Sequence, residues 1–304
     1  MNKVMQLFKR HCLVFLRDRS AVFFSLLSMF IVLLLMVVFL GDMNVEEVTS
    51  RLNTYGGPRE EAVDQANAKQ LVAMWTIAGI LVVNAVTVTL TVIGTMVKDS
   101  SEKRLASFYT APVPKTAIAI SYILSAIAIG TLFGTLVFGV AEIYIYLIGG
   151  ELLGIMEICK VIGLILLNTS VFSVIMYLTA LFVKSVGAWS GIATIVSTLV
   201  GFFGAIYLPL GSLPEGIGAA LKGLPVLHGA SLMRKICCES ILNKTFEGMP
   251  AEVFPEYKEA MGITVSLKDS LVSSPQQILF ILAFGVIALI VIAIVHKLQK
   301  GTDR

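Results

Sequence analysis

The chain has 304 residues, of which 57% are hydrophobic and 14% are charged, and its mean hydropathy is +0.88. Soluble domains carry about a quarter charged residues, so this composition excludes an ordinary soluble domain and predicts a polytopic membrane protein. The formal net charge of +3, with no basic patch interleaved with aromatic residues, gives no reason to expect a nucleic-acid partner.

The first twenty residues predict an amphipathic helix that lies in the membrane interface. Apolar or weakly polar side chains recur there at helical spacing, at Val4, Leu7, Phe8, His11, Cys12 and Phe15. The uncharged run that follows, residues 21–40, is longer than the apolar core of a signal peptide. We therefore interpret it as a retained first membrane span.

Further apolar runs of membrane length follow along the chain. About 20 apolar residues in a helix cross the hydrocarbon core of a bilayer. The sequence therefore predicts a single all-α domain over residues 1–304, with six spans. These are residues 21–41, 71–97, 117–148, 161–183, 186–208 and 276–295.

The distribution of basic residues predicts the orientation. One set of connecting segments carries 13 Lys and Arg with four acidic residues, and the other carries 10 with 15 acidic residues. The first set is residues 1–20, 98–116, 184–185 and 297–304; the second is 42–70, 149–160 and 209–275. Because basic segments stay in the cytoplasm, we expect a plasma-membrane protein with both termini cytoplasmic.

The charged segment 98–116, between two long apolar runs, predicts a short rigid helix over residues 101–109. Asp99 or Ser100 can cap such a helix, with Glu102 completing a capping box, and Pro112 and Pro114 end it. A capped helix between two spans is suited to contact another molecule rather than to act as a flexible link.

The outer segments differ in character. Residues 42–70 are polar and acidic, which predicts a solvated loop with short helices at most. The first part of 209–275 is apolar but interrupted by Pro209, Pro214 and Pro225, which predicts two short re-entrant helices. Residues 239–269 are polar and predict a small outer cap. Cys237 and Cys238 are expected as unlinked thiols, although either could pair with a cysteine elsewhere.

Polar side chains within the spans have two interpretations. They could line a conduit, or they could serve ordinary helix packing and interhelical hydrogen bonding. These residues are Asn84, Thr87, Thr91 and Thr95 in the second span and Thr194, Ser197 and Thr198 in the fifth. Glu142 is the only acidic residue inside a span, so it is a functional candidate, although it lies near the outer end within reach of water.

The sequence offers no catalytic machinery. His11, His228 and His296 are far apart and form neither a metal cluster nor a Ser–His–Asp set, and no phosphate-binding G-x-x-x-x-G-K-[ST] loop is present. We expect a chain that is not an enzyme and holds no cofactor.

Three local patterns carry a resemblance to the membrane subunit of type-2 ABC exporters, the ABC-2 permeases. They are FLRDR at residues 15–19 before the first span, SEKRLASFYTAPV at 101–113, and the LP pairs at 213–214 and 224–225 followed by His228. In that family the helix after the second span is the coupling helix that docks on the ATP-binding subunit. The resemblance implies that role for Glu102, Arg104, Leu105, Phe108 and Tyr109. This segment is more basic than is usual in the family.

The resemblance also implies partners and function. It implies two copies of an ATP-binding subunit, which would hold ATP and Mg, a second permease subunit that is identical or paralogous, and membrane lipids. The function implied is export of an amphipathic drug, peptide or lipid-like substrate. The alternatives are an ion-coupled secondary transporter, for which Glu142 is the one intramembrane charge and no internal repeat is evident, and a membrane enzyme.

Overall fold

The computed structural model describes residues 3–35, 41–56, 59–104, 113–267 and 270–302. The helices of the first part of the chain are α1 (Lys3–Arg17), α2 (Arg19–Leu35), α3 (Gly41–Tyr55), α4 (Glu61–Ser101), α5 (Lys115–Leu147), α6 (Ile155–Leu181) and α7 (Val186–Phe203). After a 3-10 turn (Leu210–Ser212) come α8 (Glu215–Leu221), α9 (Pro225–Cys237), α10 (Glu239–Thr245) and α11 (Val253–Ala260). A hairpin of β1 (Ser266–Leu267) and β2 (Ser270–Leu271) precedes α12 (Ser274–Thr302).

The prediction of an all-α polytopic membrane protein is confirmed. Among the described residues, five helices are long and apolar enough to cross a membrane: α4, α5, α6, α7 and α12. The predicted first span, 21–41, coincides with α2 as far as Leu35, and residues 36–40 lie outside the described part of the chain. The sixth span therefore stays a prediction.

Helix α4 forms the centre of the bundle. It contacts α2, α3, α5, α6, α7, α9 and α10, and nearly every side chain from Asn67 to Leu90 is buried. Its 41 residues correspond to about 60 Å, twice the thickness of a bilayer core. The apolar run predicted as a span was accordingly only the middle of a longer helix.

The predicted solvated loop at 42–70 is largely helical. Its first half is α3 and its second half is the start of α4. Arg59 holds this junction together, since its guanidinium donates to both carboxylate oxygens of Asp64, at 2.8 and 2.9 Å. The same guanidinium donates to the backbone carbonyl oxygens of Thr245 and Glu247, which ties the start of α4 to the end of α10.

Other predicted span boundaries shift for local reasons. Helix α7 ends at Phe203 rather than at residue 208, because the chain turns at Gly204 and at Ala205, which has a φ of 49°. Ile206 then returns to pack against Gly79 of α4. Helix α6 begins at Ile155, six residues before the predicted span, and α12 extends past residue 295.

The apolar but proline-interrupted stretch after α7 forms two short helices, α8 and α9. Their re-entrant placement in the membrane stays a prediction. Helix α9 is buried among α4, α6 and α12. Its Arg234 is fully buried, lies 4.3 Å from the ring centroid of Trp75, and donates to the carbonyl oxygen of Ala205 at 2.8 Å. Trp75 in turn donates to the carbonyl oxygen of Met261 at 2.7 Å. These contacts fasten α9 and the end of α11 to the central helix.

The polar cap predicted over 239–269 consists of α10, α11 and the start of the hairpin. Cys237 and Cys238 just before it are buried free thiols. Cys12, which is half-buried, and Cys159, which is exposed, are also free thiols. Burial raises the pKa of Cys238 to about 12, which keeps this thiol protonated and unreactive.

Candidate functional site

A cavity of about 430 Å³ lies between α2, α4 and α7, beside the turn from α1 to α2. Its apolar wall comes from Phe24, Ile80, Val83 and Val88. Its polar lining comprises Asp18, Ser20, Ser25, Thr87, Thr91, Ser197 and Tyr207. The volume and the mixture of apolar wall and few polar groups are typical of a site for a small amphipathic ligand.

Three of the residues predicted to line a pathway, Thr87, Thr91 and Ser197, meet at this cavity although they come from two different helices. The hydroxyls of Thr87 and Thr91 donate to carbonyl oxygens of their own helix, at Val83 and Thr87, with distances of 3.0 and 2.8 Å. Their oxygen lone pairs stay free to accept hydrogen bonds from a ligand.

The other predicted lining residues lie elsewhere. Asn84 is fully buried and faces Gly134 of α5, and neither polar atom of its amide has a hydrogen-bond partner among the described residues. Thr95 is half-buried and donates to its own helix at Val92. Thr194 and Thr198 are exposed on α7 and also bond to their own backbone.

Glu142 lies near the end of α5, where its Oε2 accepts from the backbone N–H of Leu153 at 3.2 Å. Its Oε1 is buried without a partner in the described structure. The carboxylate thus serves in part to position the return between α5 and α6, and it does not line the cavity that holds Thr87 and Ser197.

A buried polar cluster joins α1 to both helices that flank the charged segment. Arg10 of α1 donates to Asp99 at the end of α4 at 2.7 and 3.2 Å, and the hydroxyl of Tyr122 of α5 donates to the same carboxylate at 2.6 Å. The His11 ring stacks on Tyr122, with 3.7 Å between centroids, and hydrogen-bonds the Ser121 hydroxyl at 3.2 Å. Asp99 is only 3% exposed.

Burial and neighbouring charges shift the pKa values of His11 and Arg10, the two α1 residues of this cluster. Burial, reinforced by the neighbouring Arg10 cation, lowers the pKa of His11 to about 4, so the ring is neutral at physiological pH. The hydrogen bond to Asp99 raises the pKa of Arg10 above its usual value. Part of the apolar face of α1 packs on α5, with Phe15 edge-on to Phe133. The predicted position of α1 in the membrane interface stays a prediction.

The start of the predicted coupling helix is different in the structure. Helix α4 continues to Ser101, so Asp99 and Ser100 lie within it and neither caps a new helix. The Asp99 carboxylate is instead bonded to Arg10. Glu102 ends α4, and Lys103 turns the chain with a φ of 58°. The guanidinium of Arg104 binds Glu102 at 2.7 Å and approaches Asp99 to 3.7 Å. Leu105, Phe108 and Tyr109 lie outside the described residues, so their role stays a prediction.

Sequence reasoning missed the partnership of Arg10, His11, Asp99 and Tyr122. The one signal for it was the placement of His11 on the apolar face of α1, which indicates a buried polar contact without naming its partner. Among the described residues, no group of three or more His, Cys, Asp or Glu side chains is arranged to hold a metal ion.

The elements from α1 to the end of α9 coincide with a match to a known family. The sequence model of the family described as ABC-2 type transporter matches residues 2–237. The chain belongs to the ABC-2 type transporter family. A comparison with curated proteins gives no match.

Family membership makes the chain a permease component of a transporter, and its apolar helices make it a multi-pass membrane protein. In this ABC-2 permease the matched residues include the cavity, the polar cluster around Asp99 and the buried helix α9. The polar cap that begins at Glu239 and the whole of α12 lie beyond the match.

Proposed function

We propose that this permease is the membrane-spanning subunit of an ATP-driven exporter that moves an amphipathic drug, peptide or lipid-like substrate out of the cytoplasm. Two copies of a separate ATP-binding subunit, which hold ATP and Mg, supply the energy. The chain is itself no enzyme. A second permease subunit, identical or paralogous, completes the pathway, and both termini are cytoplasmic.

The cavity between α2, α4 and α7 carries this proposal. Thr87, Thr91 and Ser197 were chosen from sequence as pathway residues, and all three line it. The apolar side of the cavity suits the hydrophobic part of a substrate, while the carboxylate of Asp18 and the hydroxyls suit its polar part.

The position of the charged α1–α2 turn, beside the middle of the transmembrane part of α4, supports a cavity that contains water. Asp18 shares the cavity with Thr91, which lies eight residues, about 12 Å, from Asp99 along α4. Arg17, Asp18 and Arg19 are all exposed on the single chain. Charged side chains at membrane depth face water-filled space or protein rather than lipid, so this turn is expected to border an aqueous entrance.

The exposed face of α7 supports a second permease subunit. Among the described residues, nothing beyond the local helix backbone lies within 4 Å of a Cβ placed on Gly187 or Gly191, and Thr194 and Thr198 are exposed on the same helix. Small and hydroxyl-bearing residues favour close helix packing within a membrane, whereas a lipid-facing helix needs neither. We infer that the second subunit packs there.

The pathway is tested by filling the cavity. Ser197→Trp is expected to abolish ATP-dependent uptake of fluorescent amphipathic dyes into inverted vesicles, because the indole occupies the cavity. Leu136→Trp, at an exposed position of α5 outside the lining, is the matched control and should retain uptake. Equal uptake by both variants would show that the cargo takes another route.

The energy source is tested separately. Deletion of residues 101–109, or Leu105→Trp, is expected to abolish co-purification of the ATP-binding subunit. Stoichiometric binding after either change would contradict the assigned docking site. Transport that survives ATP depletion and collapses with the ion gradient would favour an ion-coupled secondary transporter, with Glu142 as its candidate carboxylate.

A further inference from the structure

The charge exposed at the end of α4 is more positive than the sequence of this stretch suggests. The residues concerned are Lys98, Glu102, Lys103 and Arg104, which we name the docking surface. In sequence this stretch also contains Asp99, so that two acidic residues stand against three basic ones. The structure changes this balance.

Asp99 is withdrawn from the surface. It is 3% exposed, and its two oxygens accept from Arg10 and Tyr122 at distances of 2.6 to 3.2 Å. A carboxylate that is buried and bonded in this way is unavailable to an approaching protein. Its negative charge is compensated mainly by Arg10 of α1, at 2.7 Å, while Arg104 of the docking surface lies farther away, at 3.7 Å.

Glu102 is also engaged. Its Oε2 binds Arg104 at 2.7 Å, and the side chain of Arg104 remains 55% exposed. Lys98 and Lys103 are exposed and form no ion pair within the described part of the chain. The positive φ of Lys103 places it on the tight turn that ends α4. The docking surface therefore presents an excess of positive charge.

We infer that the docking surface recognises an acidic cleft on the ATP-binding subunit. This inference rests on the proposed function and adds the chemistry of the partner. Burying two lysine ammonium groups in an interface is unfavourable unless the partner supplies carboxylates, and opposite charges on the two surfaces also steer the encounter. An uncharged or basic cleft would not accept Lys98 and Lys103.

The test uses the full-length permease co-expressed with the ATP-binding subunit that co-purifies with it, identified by photolabelling with azido-ATP. Lys98→Glu combined with Lys103→Glu is expected to lower the retained ATP-binding subunit and the ATP hydrolysis of the eluate at least tenfold. Lys98→Arg with Lys103→Arg keeps the charge and should retain both. Raising salt from 0.05 to about 0.5 M should weaken retention by the unmodified chain, because screening lengths fall below about 5 Å.

Lys69→Glu is the matched control, since Lys69 is an exposed lysine toward the other end of the same helix. It should leave retention unchanged, and monodispersity in detergent checks the fold of each variant. Undiminished retention in the double Glu variant overturns the acidic cleft. If that variant also binds less phosphatidylglycerol, an anionic lipid, the docking surface contacts the membrane instead. Absence of any azido-ATP-labelled subunit with the unmodified chain, at low salt as well, instead overturns the proposed function.

Discussion

Arg10 on α1 and Asp99 on α4 form a two-point ion pair, with guanidinium-to-carboxylate distances of 2.7 and 3.2 Å, across 89 positions of sequence. Tyr122 of α5 completes the contact, so a single carboxylate joins three helices. The charged segment that follows Asp99 is thus anchored at its base, and a displacement of that segment would be passed to α1, α4 and α5 together.

Asp99→Asn should lower the free energy of unfolding by about 2 kcal/mol, because it leaves the Arg10 cation without its buried counterion. Glu102→Gln is the control: it removes the exposed partner of Arg104 and should cost less than about 1 kcal/mol. Thermal unfolding of both variants in the same detergent measures the difference. Equal losses of unfolding free energy in the two variants would mean that the buried pair stabilises the fold no more than the exposed pair does.

Stability should fall with acidification through the His11 ring. The pKa of His11 is about 4 in the folded chain against 6.5 when unperturbed, so the unfolded state binds a proton first. Stability from this group is fully present above pH 6.5 and is lost as the pH falls towards 4, by about 3 kcal/mol in total. The groups facing the ring are Arg10, Asp99, Tyr122 and Ser121.

His11→Gln should flatten the stability profile between pH 6.5 and 4 relative to the unmodified chain, as measured by unfolding at a series of pH values. Burial also lowers the pKa of His228, so a smaller slope should remain in the variant. An unchanged slope would show that His11 is charged in the folded state.

Arg234→Ala should be strongly destabilising, by about 3 kcal/mol or more, because it empties a fully enclosed site and leaves the carbonyl oxygen of Ala205 without its donor. Arg234→Met fills most of the volume and should lose less. Lys244→Met is a control at an exposed pair with Glu151, where a change of about 0.5 kcal/mol is expected. Hydrogen exchange of α11 reports whether the cap loosens from α4.

Alanine substitutions at two glycines of α5 are expected to have opposite effects on stability. A Cβ on Gly134 would approach Cγ2 of Ile165 to 2.6 Å, whereas a Cβ on Gly139 meets nothing within 4 Å. Gly134→Ala should therefore lower the unfolding temperature by forcing α5 and α6 apart. Gly139→Ala should be neutral or stabilising by up to about 1 kcal/mol, since alanine restricts the unfolded chain. Unfolding in detergent distinguishes them; equal shifts would contradict the packing.

The packing of Gly134 also shows which helix contacts can be predicted from sequence. The G-x-x-x-G spacing at Gly130 and Gly134 predicts a helix-packing face, and both glycines do face neighbouring helices. Gly187 and Gly191 have the same spacing, but they face no other helix in the part of the chain that the structure describes. Spacing reports that a close approach is possible, but the partner depends on how the helices are arranged.

Local rules also failed where a long-range contact competed with them. Asp99 followed by Glu102 fits a capping box, yet α4 continues past Asp99 to Ser101, and Arg10 and Tyr122 bind the Asp99 carboxylate instead. Likewise the apolar face of α1 would serve a membrane interface or a protein neighbour equally well. The position of α5 shows that at least part of this face contacts protein.

The sequence by itself determined the class of this protein: long uncharged runs must be helices in a bilayer, and the hydroxyls of Thr87, Thr91 and Ser197 mark the helix faces that meet at the cavity. The tertiary structure decided which charges remain on the surface. Asp99 and Arg10 neutralise each other in the interior, while Lys98 and Lys103 stay exposed. Such pairing depends on distances between residues that are remote in sequence, and no local pattern contains those distances.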